Sequence, residues 1–240
     1  MVKRTPPLKN IQRTFWKLLF VGLWAVPSAS GAKHDAVPDW VRSAANQSLP
    51  SYSSEANAVV LMEEINYSVA PSGQAVERVR RVVKILRSAG RDEGIVTVPF
   101  DKDTTLVSLH VWSIGPDGHE FAVKDDEIVE VGYPGQGNLY EDYKFKSVKA
   151  PGRDPGGIVA FEYEQQQRPY LNEKTWFFQE NIPLRSASFT LELPAGYTYG
   201  AVWAHHDAAK AVDLEKQRWK WELKDISGID LDHVLISIMY

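Results

Sequence analysis

Two β-branched runs joined by a turn signal decide the fold: Ala58-Val-Val-Leu-Met-Glu-Glu-Ile-Asn-Tyr-Ser-Val69, then Pro71-Ser-Gly73, then Val76-Glu-Arg-Val-Arg-Arg-Val-Val-Lys-Ile-Leu86. In the first run, period-two alternation predicts one strand face made of Leu61, Ile65, Tyr67 and Val69. The second run is ambiguous, because its valines fit both a helix period and one face of a strand. Its β-branched residues and the preceding turn signal favour a strand.

Working outward, short strand-like segments separated by glycine and proline continue to residue 228. Strands are predicted at Ile95–Phe100, Leu106–Ile114, Glu120–Val123, Glu127–Val131, Tyr143–Val148, Ile158–Gln165, Thr175–Gln179, Ala187–Leu193, Tyr197–Trp203 and Gln217–Asp225. Many short strands and hardly any helix predict a mainly β fold. We expect a mostly antiparallel β-sandwich, either immunoglobulin-like or a larger two-sheet sandwich, with few short helices.

The N-terminal residues have the order of a secretory signal peptide. A basic stretch to Arg13 precedes the apolar run Leu18–Val26, and small residues follow up to Ala32. This run is too short to span a hydrocarbon core of about 30 Å as a helix. An uncleaved anchor or an ordinary amphipathic N-terminus is the alternative. We therefore expect export to the periplasm or the medium, with no stable membrane span after cleavage.

The chain is predicted to have four parts. These are a signal peptide (residues 1–32), a linker with a short helix (33–56), a β-sandwich domain (57–228) and a C-terminal tail (229–240). Pro38 can occupy the first turn of the linker helix, and Pro50 follows its end.

Charge and cysteine content exclude several functions. The 240 residues carry a net charge of −4, but the first 32 hold five of the 27 basic residues and none of the 31 acidic ones. The remainder is therefore near −9, which disfavours nucleic acid as a partner because phosphate contacts need Lys and Arg. The chain has no cysteine, so disulfides, thiolate metal sites and cysteine nucleophiles are excluded.

No motif points to catalysis, a cofactor or a metal. His119-Glu120 opens like a zinc-protease motif, but Val123 stands where the second histidine belongs. Adjacent side chains of an extended chain point to opposite faces, and this applies to His205-His206-Asp207 and to Tyr140-Glu-Asp-Tyr143. The glycine-rich stretch Gly132–Asn138 lacks the Lys-Ser/Thr of a phosphate-binding loop. We therefore predict no catalytic, cofactor-binding or metal-binding residues.

A basic concentration and several aromatic clusters have two interpretations each. Arg78, Arg80, Arg81, Lys84 and Arg87 form the basic set. Cross-strand pairing with Glu64 or a neighbouring acid is the ordinary explanation, and a face for an acidic partner is the alternative. The aromatic set includes Trp176, Trp203, Trp219 and Trp221. These rings form either a sandwich core or a sugar-stacking platform.

The order of several segments resembles a known family. The segments are Val82-Val-Lys-Ile-Leu86, Tyr140-Glu-Asp-Tyr-Lys-Phe-Lys-Ser-Val148, Pro151-Gly, Pro155-Gly-Gly-Ile-Val159, Phe161-Glu-Tyr163, Arg168-Pro-Tyr170, Ile182-Pro-Leu-Arg185 and Phe189-Thr-Leu-Glu-Leu-Pro194. They resemble the domain of unknown function that precedes transglutaminase-like domains in exported bacterial proteins, over roughly residues 56–228.

The resemblance implies a β-sandwich to which no enzymatic activity is attached. In the family, a following transglutaminase-like domain carries a Cys-His-Asp triad, whereas this sequence stops at Tyr240, soon after Trp219–Asp225. We therefore expect an exported, non-catalytic module that interacts with a transglutaminase-like protein or a cell-envelope component. A carbohydrate- or peptidoglycan-binding module using surface aromatics is the alternative.

Overall fold

The fold was obtained as a computed structural model, which describes residues 36–132, 143–168, 173–204 and 206–229. These residues belong to one compact unit, Lys33–Tyr240. The predicted signal peptide lies outside the described residues, as does all of the predicted C-terminal tail except residue 229. No helix within the described ranges is long and apolar enough to cross a bilayer.

Eleven strands and one α-helix make up the regular structure of the described residues, with 3₁₀ turns at Ser88–Gly94 and Asp125–Glu127. The elements are α1 (Asp39–Ala45), β1 (Ala58–Val69), β2 (Ala75–Ile85), β3 (Ile95–Phe100), β4 (Thr104–Ile114), β5 (Glu120–Ala122), β6 (Val129–Gly132), β7 (Lys144–Lys149), β8 (Ile158–Gln167), β9 (Leu184–Glu192), β10 (Val212–Asp213) and β11 (Arg218–Ile226). The mainly β prediction is confirmed, and the ambiguous second run is a strand.

The strands form two sheets of unequal size. The large sheet has the order β10-β11-β9-β1-β2-β8-β4-β5, and the small sheet has the order β3-β7-β6. Neighbouring strands pair antiparallel except β1 and β9, which run parallel. The predicted antiparallel sandwich is therefore confirmed with one parallel pair at its centre.

The small sheet covers only part of the inner face of the large sheet. Val96 and Val98 of β3 and Val148 of β7 pack against Val111 of β4 and Val159 of β8, and all five are buried. Interdigitation of two inner faces in this way is the usual core of a sandwich. The inner faces of β1, β9 and β11 are covered instead by irregular chain from residues 173–183, 197–204 and 206–211.

The short helix predicted in the linker covers the outer face of the large sheet at one end. α1 begins after Pro38. The carboxylate of Asp39 in its first turn interacts favourably with the positive end of the helix dipole. Its buried Val41 and Ala44 pack in a cluster with Leu61 of β1. Helix packing therefore fills an outer surface that would otherwise expose apolar side chains.

A β-bulge corrects one predicted face assignment. The register of β1 against β2 shifts between Val60 and Met62, and the extra residue reverses the alternation. Leu61 therefore lies beside Met62 under α1, not with Ile65 on the inner face as predicted.

Two predicted strands, Thr175–Gln179 and Tyr197–Trp203, are not strands in the structure. Trp176 and Phe178 are half-buried while Phe177 is 77% exposed, so burial alternates from Thr175 to Phe178. It reflects side chains packing onto a sheet without backbone pairing to a neighbouring strand.

The turn before β8 depends on glycine. Gly152 and Gly156 have φ of +66° and +94°, a region that side chains with a Cβ disfavour. Gly157 is needed for space, since a Cβ there would lie 2.0 Å from the carbonyl oxygen of Gly152. The backbone of Gly156 and Gly157 then exchanges hydrogen bonds of 2.8 and 2.9 Å with Ile85 at the end of β2.

Candidate functional site

Charged side chains lie on both faces of the central strand β2. Arg78 and Arg80 point to the outer face with Val76, while Arg81 shares the inner face with Val79 and Val83. The two faces place these arginines in different environments. The Arg81 side chain is 14% exposed, whereas that of Arg78 is 66% exposed.

Arg81 is the centre of an ionic cluster in which Glu63 is buried and the Glu180 side chain is 37% exposed. Its Nη1 donates hydrogen bonds of 2.7 Å to Glu63 Oε2 of β1 and to Glu180 Oε1, and its Nη2 donates to Glu180 Oε2. Trp176 Nε1 donates to the second oxygen of Glu63 at 3.3 Å. Arg81 therefore joins two carboxylates that are 117 positions apart in the chain, Glu63 on the sheet and Glu180 in the chain that covers it.

Burial and pairing act against each other on the charges of this cluster. Burial raises the pKa of Glu63, although the charge of Arg81 opposes the effect. Burial also disfavours the charge of Arg81, but hydrogen bonds and attraction from Glu180 and Glu63 outweigh it and raise the pKa of the guanidinium. Burial raises the pKa of the neighbouring Glu93 as well.

A second buried carboxylate bonds to the same irregular stretch, residues 173–183. Glu77 of β2 accepts a hydrogen bond of 2.5 Å from Lys174 Nζ and one of 2.8 Å from Gln167 Nε2. The Lys174 ammonium also lies 5.4 Å from the centre of the Tyr67 ring, a cation–π distance. Residues 173–183, called here the covering segment, are thus held to β1 and β2 by polar bonds through Lys174, Trp176 and Glu180.

The outer face of the large sheet carries an open groove of about 300 Å³. Its lining includes Asn66, Ser68, Arg78, Arg80, Glu162 and Arg218. Acids of β8 pair with the arginines of β2: Arg78 bonds Glu164 at 2.6 Å, and Arg80 bonds Glu162. The predicted cross-strand pairing is present, but its acids come from β8 and not from Glu64.

The aromatic clusters pack mainly against one another. Trp221 is 6% exposed, and Trp176, Trp203 and Trp219 are half-buried. Rings in contact include Trp176 with Phe189, Phe189 with Trp221, Phe178 with Trp203, and Tyr199 with Trp219. These four tryptophans therefore form part of the packing beneath and beside the covering segment, and they do not present a flat open platform.

The motifs weighed for chemistry remain scattered. His119 lies on the surface 3.5 Å from Asp117, and the His206 ring packs against Phe178 and Trp203. His205, Tyr140–Asp142 and residues 133–138 of the glycine-rich stretch lie outside the described residues. Within the described ranges, no three His, Asp or Glu side chains group so that they could hold a metal ion.

The ionic cluster was missed by sequence reasoning, although one signal for it was present. Arg81 lies on the same strand face as Val79 and Val83, which alternation marks as the apolar face. A charge on that face must be paired if it is buried. Glu63 lies opposite Arg81 in the predicted hairpin, so this partner was within reach of the sequence. The second partner, Glu180, is 99 residues away and could not be inferred.

A family profile for a domain of unknown function with a solved structure (DUF3857) matches residues 71–229. The chain belongs to this family. The match covers most of the two sheets, including the β2 face that carries Arg81. No functionally curated protein matches the chain.

A solved structure shows a similar fold in a longer protein. A candidate protease from Parabacteroides distasonis superposes with a TM-score of 0.61 at 18% identity, over 72% of this chain and 36% of that protein. This chain therefore spans about a third of that protein's length. A CBM3a-L domain from the scaffoldin CipA of Clostridium thermocellum has a TM-score of 0.28 at 17% identity, over 49% of this chain and 71% of its own. At that score the likeness to the CBM3a-L domain has no bearing on fold or function.

Proposed function

We propose that this chain is an exported, non-catalytic β-sandwich module that works by binding a transglutaminase-like protein or another cell-envelope component. The observation that carries the proposal is the internal bonding of its buried charges. Arg81, Glu63 and Glu77 are bonded to one another or to the covering segment, so they stabilise the fold. A catalytic acid or base must instead be able to reach a substrate.

The occurrence of the fold inside a longer protein supports an accessory role. The candidate protease of P. distasonis devotes about a third of its length to the part that superposes on this chain. A fold alone does not imply a function, so this likeness supports only the idea that such a sandwich works as one part of a longer protein. The family resemblance identified from the sequence adds the transglutaminase-like domain as the expected neighbour.

Packing of the tryptophans favours this proposal over a carbohydrate-binding module. Sugar stacking needs an exposed ring face, whereas Trp221 is buried and Trp176, Trp203 and Trp219 are half-buried against other rings.

Two assays on the purified chain test the proposal. We expect no amide hydrolysis and no acyl transfer on peptide or cell-wall substrates. Turnover that survives repurification, and that disappears with one substitution which leaves the melting temperature unchanged, would make the chain an enzyme. In the second assay, calorimetric titration against a purified transglutaminase-like domain should show saturable binding, and isolated peptidoglycan is the second titrant. Binding to neither would leave the proposed accessory role without a partner and overturn it.

A further inference from the structure

The two covers of the large sheet are attached to it in different ways. The small sheet packs through valines, and its strands pair with one another through their main chains. The first part of the covering segment, residues 173–178, is not a strand, and among the described residues its main chain bonds to no other main-chain group. Since unpaired main-chain groups need water, this stretch lies at the surface and can lift without breaking main-chain hydrogen bonds. It is called the strap below.

The strap is held to the sheet by side chains at alternate positions. Lys174 Nζ donates a hydrogen bond of 2.5 Å to Glu77 of β2, and Trp176 Nε1 donates one of 3.3 Å to Glu63 of β1. Both carboxylates belong to buried residues. Phe177 points the other way and is 77% exposed. The strap is therefore attached by two polar bonds to buried carboxylates, together with the packing of its aromatic rings.

The chain that follows the strap is fixed in place. The carbonyl oxygen of Glu180 accepts a hydrogen bond of 2.8 Å from the N–H of Ile229, and Gln179 Nε2 donates to the carbonyl oxygen of Ser227 at 3.1 Å. Ile182 is buried in the core cluster below. A moving strap would therefore bend at Gln179, and the Arg81–Glu180 bonds would remain in place.

Burial of the Lys174–Glu77 pair weakens the attachment of the strap. The side chain of Glu77 is 6% exposed, and that of Lys174 is 25% exposed. Removing two charges from water offsets much of the attraction between them. Opening the strap returns both charges to water, whereas separating the two sheets would expose buried valines. The strap is therefore the cover that opens at the lower cost in free energy.

We propose that the strap opens and closes as a unit while both sheets stay folded, with the Lys174–Glu77 ion pair as its latch. Opening uncovers the inner face of β9, where the Trp176 ring stacks on Phe189 at 5.6 Å. Local opening is expected where few main-chain bonds hold a segment. The inference goes beyond the proposed function, and its test needs no partner, so failure here leaves the binding and turnover assays to decide that function.

The test uses the absence of cysteine from the chain, because a single introduced thiol is then the only one. Ala187→Cys places the thiol in the buried cluster on which Trp176 packs, and Ala150→Cys places it in the cluster between the two sheets. The native alanines are 0% and 2% exposed. Labelling of the full chain with excess maleimide is followed at several low urea concentrations. Each rate is divided by that of the same variant unfolded in urea.

We expect Ala187→Cys to be labelled at least tenfold faster than Ala150→Cys. Its rate should change little with low urea, because opening the strap exposes far less surface than unfolding. Adding Lys174→Met should raise the Ala187→Cys rate at least tenfold, since the charge of Glu77 then stays buried without its ammonium partner. The matched control is Lys144→Met, which removes an exposed Lys–Glu pair and should leave the rate unchanged.

Two results would overturn the proposal. Equal rates at Ala187→Cys and Ala150→Cys, both rising steeply with urea, would show that only global unfolding exposes Ala187. An Ala187→Cys rate that Lys174→Met does not change would show that the ion pair is not a latch. Thermal melting verifies that each variant is folded. If Ala187→Cys folds poorly, Ala75→Cys replaces it, because Ala75 is also 0% exposed in a cluster on which Trp176 packs.

Discussion

Replacing Arg81 by Met should be among the most destabilising single changes in the chain. The Met side chain keeps most of the apolar stem but removes the guanidinium that bonds Glu63 and Glu180. The Glu63 side chain is only 7% exposed, so its charge would remain in the interior without a cationic partner. Breaking a buried pair from one side costs about 3–5 kcal/mol. At roughly 2–4 °C per kcal/mol for a domain of this size, the melting temperature should fall by about 10 °C.

Arg78→Met is the matched control, since it changes the same residue type three positions earlier on the same strand. Arg78 is 66% exposed and bonds Glu164 on the outer face. Exposed pairs contribute about 0–1 kcal/mol, so this variant should melt near the wild type. The double variant Arg81→Met/Glu63→Gln should recover part of the loss, because no unpaired charge then remains at Glu63.

Urea unfolding followed by tryptophan fluorescence measures all three variants. Equal losses for Arg81→Met and Arg78→Met would refute the reasoning, because they would show that burial does not separate the two arginines. A double variant less stable than Arg81→Met would show that the cost arises from lost packing and not from the stranded carboxylate.

The pH dependence of these variants has a definite sign. Burial raises the pKa of Glu63 in the folded state above its unfolded value. Between these two pKa values, the folded protein binds a proton at Glu63 that the unfolded chain has released. The stabilisation that comes from binding this proton is lost as pH rises from the unfolded to the folded pKa. In acid, Glu63 is protonated and carries no charge that could be left unpaired. The loss of unfolding free energy caused by Arg81→Met should therefore be smaller in acid than at neutral pH. Glu63→Gln should flatten this part of the stability profile.

Two further predictions concern the turn before β8 and the N-terminus. Gly157→Ala brings a Cβ within 2.0 Å of the carbonyl oxygen of Gly152, and the forced shift should cost about 2–3 kcal/mol in thermal unfolding. Gly200→Ala, where nothing lies within 4 Å of the added Cβ, should be neutral or slightly stabilising, and equal melting of the two would show that the turn adapts freely. N-terminal sequencing of the exported protein should give Ala32 or Lys33 as the first residue. An intact Met1 in a membrane fraction would contradict the predicted signal peptide.

The central hairpin could be predicted from sequence because its alternation is local. β1 and β2 begin and end within one residue of the two runs that suggested them. Alternation could not locate the bulge between Val60 and Met62, because an extra residue in β1 does not change the sequence pattern of β2. The consequence was that Leu61 was assigned to the wrong face.

The two mistaken strands show where period-two alternation is insufficient. In Thr175–Gln179 the aromatic side chains alternate because Trp176 and Phe178 pack against rings below them. Strand identity requires a neighbour for the backbone, and that depends on distant parts of the chain. The parallel pairing of β1 with β9 is of the same kind, because its partners are more than 100 residues apart.

The unequal sheets account for why the buried charges lie where they do. The small sheet covers the β4 and β8 side of the large sheet, where its valines meet Val111 and Val159. Trp176 of the covering segment meets Phe189 on the β9 side. β1 and β2 lie between these two covers in the strand order, and their inner face carries Glu63 and Arg81. A purely apolar face there would bind the irregular covering segment without fixing its position, whereas bidentate hydrogen bonds from Arg81 to Glu180 require one register. The cluster therefore determines where the covering segment lies, and this is why its loss should destabilise the fold more than the loss of any exposed ion pair.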